Sequence, residues 1–132
     1  MISLDLAIRL KAAGVKWQPE PGDRFAIPGR EMDDEVFVVS EMTVEVHRFE
    51  SGTIIGFNGT TEWALDSVEQ REAVWLPMES QLREALAGAF RRLEKGADGH
   101  EVTTCVNERE RTSGHADAVE AYGLALLALI EE

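Results

Sequence analysis

Apolar and polar positions change their spacing several times along this chain, and each change marks an element. Near the start, Ser3 is placed to cap a helix running to about Ala13, with Gly14 as its left-handed stop and Asp5 and Arg9 paired one turn apart. Leu4, Leu6, Ile8 and Leu10 also alternate as a strand would, and the alanines, the cap and the length decide for helix. Pro19, Pro21 and Gly22 then interrupt the chain, and Asp23 to Ile27 reads as one short edge strand that Pro28 and Gly29 end.

From Glu35 the spacing becomes that of strands. Val36, Phe37, Val38 and Val39 form a continuous apolar run of the kind a central strand shows when both its faces are covered. Thr43 to Phe49 alternates and predicts a half-exposed strand, with His47 on its polar side. Thr53 to Phe57, then Asn58-Gly59, then Thr60 to Trp63 predicts a two-residue type I′ hairpin, because Asn-Gly supplies the two positive φ values that turn needs. Three or four antiparallel strands in a meander follow.

Pro77 suits a first helical turn, and Leu82, Ala85, Leu86, Ala89, Phe90 and Leu93 repeat at three and four as one helical face does. Arg91, Arg92 and Lys95 would close that helix, Gly96 would stop it, and its apolar stripe would face the sheet. Val102 to Asn107 and Arg109 to Thr112 predict a second hairpin, and about Ala116 to Glu131 a closing helix. That helix is apolar around nearly its whole circumference, from Val119 and Tyr122 to Leu129 and Ile130, so it must be sandwiched within the domain or covered by a second copy. A homodimer through this helix is the expectation, with Gly123 admitting a close backbone. The whole predicts a single α+β domain of residues 1–132: an antiparallel meander and a second hairpin packed with three helices, in the order α-β-β-β-β-α-β-β-α.

Composition narrows the partners more than the fold. Thirteen Lys and Arg against 25 Asp and Glu give a formal charge of -12, which repels phosphate backbones and anionic membranes. Direct nucleic-acid binding is not expected, whereas a basic protein partner is compatible. The single cysteine, Cys105, permits no internal disulfide and fits a reducing compartment, so a cytoplasmic location is expected. Met1 to Lys11 lacks the basic region and uninterrupted apolar run of a secretion signal, and the Ala121 to Ile130 stretch is far short of the ~20 residues a bilayer crossing needs.

Chemistry is harder to find. No glycine is followed by lysine, so the phosphate-cradling P-loop is missing, and there is no G-x-G-x-x-G, G-x-S-x-G, H-E-x-x-H or cysteine pair. His47, His100, His115 and Cys105 match no zinc spacing, and no metal or cofactor is expected. The candidate ligand-binding residues are Asp23, Phe25, Thr61, Glu62 and Trp63, polar groups and aromatics beside predicted loops where a small pocket could form. Core packing explains the aromatics as well, and strand propensity explains the threonines.

Four phrases carry a resemblance. They are Asp23-Arg24-Phe25; the run Ile55-Gly56-Phe57-Asn58-Gly59-Thr60-Thr61-Glu62-Trp63 through Ala64-Leu65-Asp66-Ser67-Val68; Trp75-Leu76-Pro77 followed by Gln81-Leu82; and Glu120-Ala121-Tyr122-Gly123-Leu124-Ala125-Leu126-Leu127. Together they resemble a group of small actinobacterial proteins of about this length that often carry a pilus-assembly label. The Trp-Leu-Pro phrase and the last helix are also similar to small phage-encoded proteins of unknown role. The resemblance implies an accessory role in pilus or secretion assembly and brings no catalytic residue; ATPase activity is not implied, since the Gly-Lys loop is missing. Three readings follow: a non-enzymatic interaction or accessory protein, a small-molecule binder or unorthodox enzyme using the Asp23, Glu62 and Trp63 region, and an acidic inhibitor or nucleic-acid mimic.

Overall fold

The computed structural model describes residues 1–29, 35–39, 45–49, 52–56, 67–69 and 72–131. It has the α+β class expected, with helix, strands, helix, strands and helix following in that order. Contacts group the chain into two compact units, one made of Met1–Val15 with Pro77–Glu132 and the other of Lys16–Leu76.

The first unit is a three-stranded antiparallel sheet with helices on one face. Helix α1 (Leu4–Ala12) begins as the sequence indicates: the Ser3 hydroxyl oxygen accepts from the Leu6 N–H at 3.3 Å. Gly14 follows it with φ of 104°, and Leu6, Ala7 and Leu10 are its buried stripe. Helix α2 (Glu79–Leu86) starts where the Met78 N–H donates to the Gln81 side chain at 2.9 Å and buries Leu82 and Leu86. The strands, here numbered within the whole chain, are β7 (Phe90–Gly96), β8 (Gly99–Val106) and β9 (Arg109–His115), in the order β7-β8-β9. Helix α3 (Ala118–Ile130) packs on β8, β9, α1 and α2, and the Asp117 carboxylate caps it by accepting from the Val119 N–H at 2.8 Å.

The helix expected to run from Pro77 to about Lys95 stops at Leu86, and Phe90 to Gly96 is a strand. The register explains the deception. Phe90 opposes Thr104 and Arg92 opposes Thr103, so Arg91 is an extra residue in β7, a β-bulge. Leu93 opposes Val102, which together with Thr104 lies on the face against α3. In a regular strand residues three apart point to opposite faces; the bulge returns Phe90 and Leu93 to the same one, reproducing the helical interval. Phe90 meets Tyr122 of α3 with ring centroids 5.7 Å apart, and the Arg83 guanidinium lies 4.6 Å above the Phe90 ring.

Between α2 and β7 a single 3-10 turn, Ala87–Ala89, begins with Ala87 at φ 51° and ψ -129°. Only glycine adopts that region without strain. Ala87→Gly is therefore expected to raise stability by about 1 kcal/mol, read as an upward shift of the urea midpoint. A lowered midpoint would show that the alanine methyl makes contacts worth more than the strain.

The apolar girth of α3 is matched by its own chain. Ala121, Tyr122, Gly123, Ala125, Leu126 and Leu127 are buried, and α1, α2 and the sheet pack against this helix. Gly123 serves α1: a Cβ there would stand 2.6 Å from Leu6 Cδ2 and 3.5 Å from Ile2 Cδ1. Gly123→Ala sets a helix-propensity gain of about 1 kcal/mol against overpacking of about 1–3 kcal/mol, so a net loss near 1 kcal/mol is expected. A raised denaturation midpoint would mean that Leu6 can turn away.

The second unit holds two small antiparallel sheets. One has the order β2-β1-β6, from β1 (Arg24–Ala26), β2 (Phe37–Val38) and β6 (Val74–Trp75). Its order reverses the expectation: the short strand read as an edge is the central one. The run Val36–Val39 read as central supplies an edge strand, with Val36 and Val38 exposed while Val39 is buried. The other sheet is a meander, β3 (Glu45–Phe49), β4 (Gly52–Gly56) and β5 (Ser67–Glu69). Among the described residues β4 pairs with β3 and with β5, with Gly56 opposite Ser67. Asn58, Gly59 and 60–63 lie outside the described residues.

Candidate functional site

Asp23 is the one charged residue in the described core of the second unit. Its position follows from the local chain: Pro19, Pro21 and Gly22 force a turn in which the Asp23 N–H donates to the Glu20 carbonyl at 3.0 Å. Its carboxylate Oδ2 then accepts twice, from the Trp17 indole N–H at 2.9 Å and from the Glu20 N–H at 3.0 Å. Asp23 also ties β2 into the sheet, since its carbonyl accepts from the Val39 N–H at 2.8 Å. The buried carboxylate is thereby built into a turn, because a buried acceptor is tolerated where its hydrogen bonds are made.

Phe25, two residues on, is fully buried among Trp17, Ile27, Val39 and Ala73. The structure therefore places two of the five candidate ligand residues inside the fold, Asp23 as a hydrogen-bonded node and Phe25 as core. Thr61, Glu62 and Trp63 lie outside the described residues. Beside this node the Trp75 indole N–H is buried and has no hydrogen-bond partner among the described residues, an arrangement that costs about 1–3 kcal/mol unless compensated.

A second feature belongs to the first unit. A surface hollow of about 490 Å³ lies at the β7–β8 turn, where Gly96 and Gly114 contribute no side chain and Glu94, Asp98, Glu101, Lys95 and His115 form the walls. Nothing in the sequence pattern marks it, because its members come from three strands. Glu94 and Glu101 oppose one another directly across β7 and β8, and Arg92 offsets the first of them by a hydrogen bond to its carboxylate. Among the described residues no group of three or more His, Cys, Asp or Glu side chains could hold a metal ion. Cys105 is half-buried on β8, and its cross-strand partner is Glu110.

Tyr122 is a titratable side chain that the fold shifts. Burial raises its phenol above the ordinary range, with the Arg83 charge opposing the shift and Glu79 adding to it. Its ring serves packing, against Phe90 and beneath α2.

No family model, no curated protein and no solved structure matches the chain. No helix among the described residues is long and apolar enough to cross a membrane.

Proposed function

We propose that this chain is a non-enzymatic interaction or accessory protein whose Lys16–Leu76 unit binds a basic protein partner. The observation that supports this reading is the uneven charge. Residues 16–76 hold 13 acidic and five basic side chains, a balance of -8, whereas the other unit holds 12 and eight, a balance of -4. Two thirds of the excess charge thus lies in the smaller unit. Such a field steers cationic surfaces inward and raises their rate of encounter. The use of the Asp23 carboxylate within its own turn also weighs against a ligand role for that residue.

The cytoplasm suits this function, since Cys105 would persist there as a thiol. Linkage to pilus or secretion assembly rests on the resemblance that the four phrases, from Asp23-Arg24-Phe25 to Glu120–Leu127, carry together. Co-purification from the native host tests the reading: a partner of net positive charge should be retained at low salt and released as salt shortens the screening length. Glu20→Lys with Glu35→Lys, both exposed on the acidic unit, should weaken that retention. A metabolite that raises the melting temperature progressively with its concentration, with no basic partner recovered, would overturn the reading in favour of a small-molecule binder.

A further inference from the structure

Three cationic or protonatable side chains line up across the sheet of the first unit. Lys95 on β7 opposes His100 on β8, and His100 opposes His115 on β9, so all three share one row and one face. The row ends at the start of α3, and the hydrogen bonds fix how each ring is protonated. His100 Nδ1 lies 2.9 Å from the Ala116 carbonyl, which can only accept, so this nitrogen carries the proton. His115 Nδ1 lies 3.0 Å from the Asp117 N–H, which can only donate, so this nitrogen carries a lone pair. The two imidazoles therefore hold opposite tautomers, and acid affects them differently. Protonated His100 keeps its bond to Ala116, whereas protonated His115 turns an N–H toward the Asp117 N–H and loses its bond.

We propose that the Lys95, His100 and His115 row with the Asp117 cap forms an acid-operated latch at the N-terminus of α3, closed while His115 is neutral and released when it is protonated. Three effects act in the same direction. The hydrogen bond from Asp117 is lost, a second imidazolium would face the first across the strand pair, and a cation would stand at the positive end of the helix. The Met1 amine, ahead of α1, lies 3.9 Å from the Asp117 carboxylate. The opposing groups are the carboxylates of Asp117 and of Glu94, Asp98 and Glu101 around the hollow. Asp117 already accepts from Val119, Glu120 is engaged by the Ser3 N–H and hydroxyl, and the hollow's exposed acids are screened by water and salt. The donor-to-donor conflict at His115 acts at hydrogen-bond distance, 3.0 Å, rather than through the longer-range field.

The latch is tested by amide hydrogen exchange and NMR titration of the whole chain between pH 7.5 and 5.5. Protection at Asp117 and Val119, corrected for the intrinsic pH dependence of exchange, should fall about five- to tenfold with the midpoint of the His115 imidazole, while Ala125 in mid-helix stays protected. His115→Asn keeps an acceptor oxygen near the Nδ1 position without a proton to gain, and its protection at the same amides should be flat. Unchanged protection in the parent, or a loss that follows His100, overturns the latch, as does an equal loss in His115→Asn. Should that variant fail to fold, coincidence of the Asp117 amide and His115 ring midpoints in the parent decides.

Discussion

Phe25→Ala is expected to lower the stability of the Lys16–Leu76 unit by about 3–5 kcal/mol, the cost of emptying a well-packed aromatic site. Phe25 is fully buried on the central strand of its sheet, where it opposes Phe37 on one side and Trp75 on the other. Its ring also lies 5.4 Å from those of both Trp17 and Phe37. Removing it opens a void bounded by three aromatics on two strands and a turn, which cannot collapse without shifting the Trp17 bond to Asp23. Urea unfolding followed by tryptophan fluorescence measures the loss. Phe25→Leu, which keeps most of the volume, should cost less than about half as much. A loss below about 1 kcal/mol for the alanine variant would place Phe25 at a surface rather than in a core.

The elements that could be read from the sequence are those decided by neighbours. Ser3 and Gly14 bracket α1 because a cap and a left-handed stop act within one turn of the chain. The β8–β9 hairpin is legible for the same reason: Asn107 and Glu108 both take positive φ, at 51° and 67°, and close strands whose alternation is local. What misled was the meaning of an interval. Phe90 and Leu93 stand three apart on a bulged strand as they would on a helix, and only the pairing with Thr104 and Val102 distinguishes the two. Strand order was equally hidden, because Arg24 to Ala26 becomes central by recruiting Phe37 and Val74 from distant parts of the chain.

The candidate site was legible as a composition and not as a role. Asp23 among Trp17 and Phe25 has the mixture of one charge and several rings that a ligand pocket shows. The same mixture arises when a turn buries its own carboxylate, and the distinguishing fact is the 2.9 Å bond to the Trp17 indole six residues earlier. His100 stands at the start of β8 and His115 at the end of β9, fifteen residues apart, so sequence spacing does not pair them. Their opposite tautomers emerge only from the register that sets His100 beside His115 and from the carbonyl and amide on which each ring ends.

Gly99→Ala is expected to cost about 3 kcal/mol or more in the first unit, from two causes that add. Gly99 opens β8 after the Ala97 and Asp98 turn with φ of 133°, a conformation that side chains rarely adopt, and forcing one there costs about 1–3 kcal/mol. A Cβ would also stand 2.7 Å from the His115 carbonyl oxygen and 2.9 Å from the Ala116 Cα. Both obstacles are backbone, so no side chain can swing aside, and relief requires β9 to move away from β8, at about 1–3 kcal/mol for such overpacking. That movement would also draw Ala116 away from His100, so the imidazole of His100 should lose its carbonyl partner. Gly96 supplies the control, since it pairs with Gly99 across the same turn, has no positive φ and would place a Cβ in open space. Gly96→Ala should therefore stay within about 0.5 kcal/mol of the parent, as surface substitutions do. Urea midpoints of the two variants measured side by side decide the matter: equal midpoints would mean that β9 does not crowd Gly99, and a deficit confined to Gly99→Ala would mean that the close approach of β9 depends on the missing side chain.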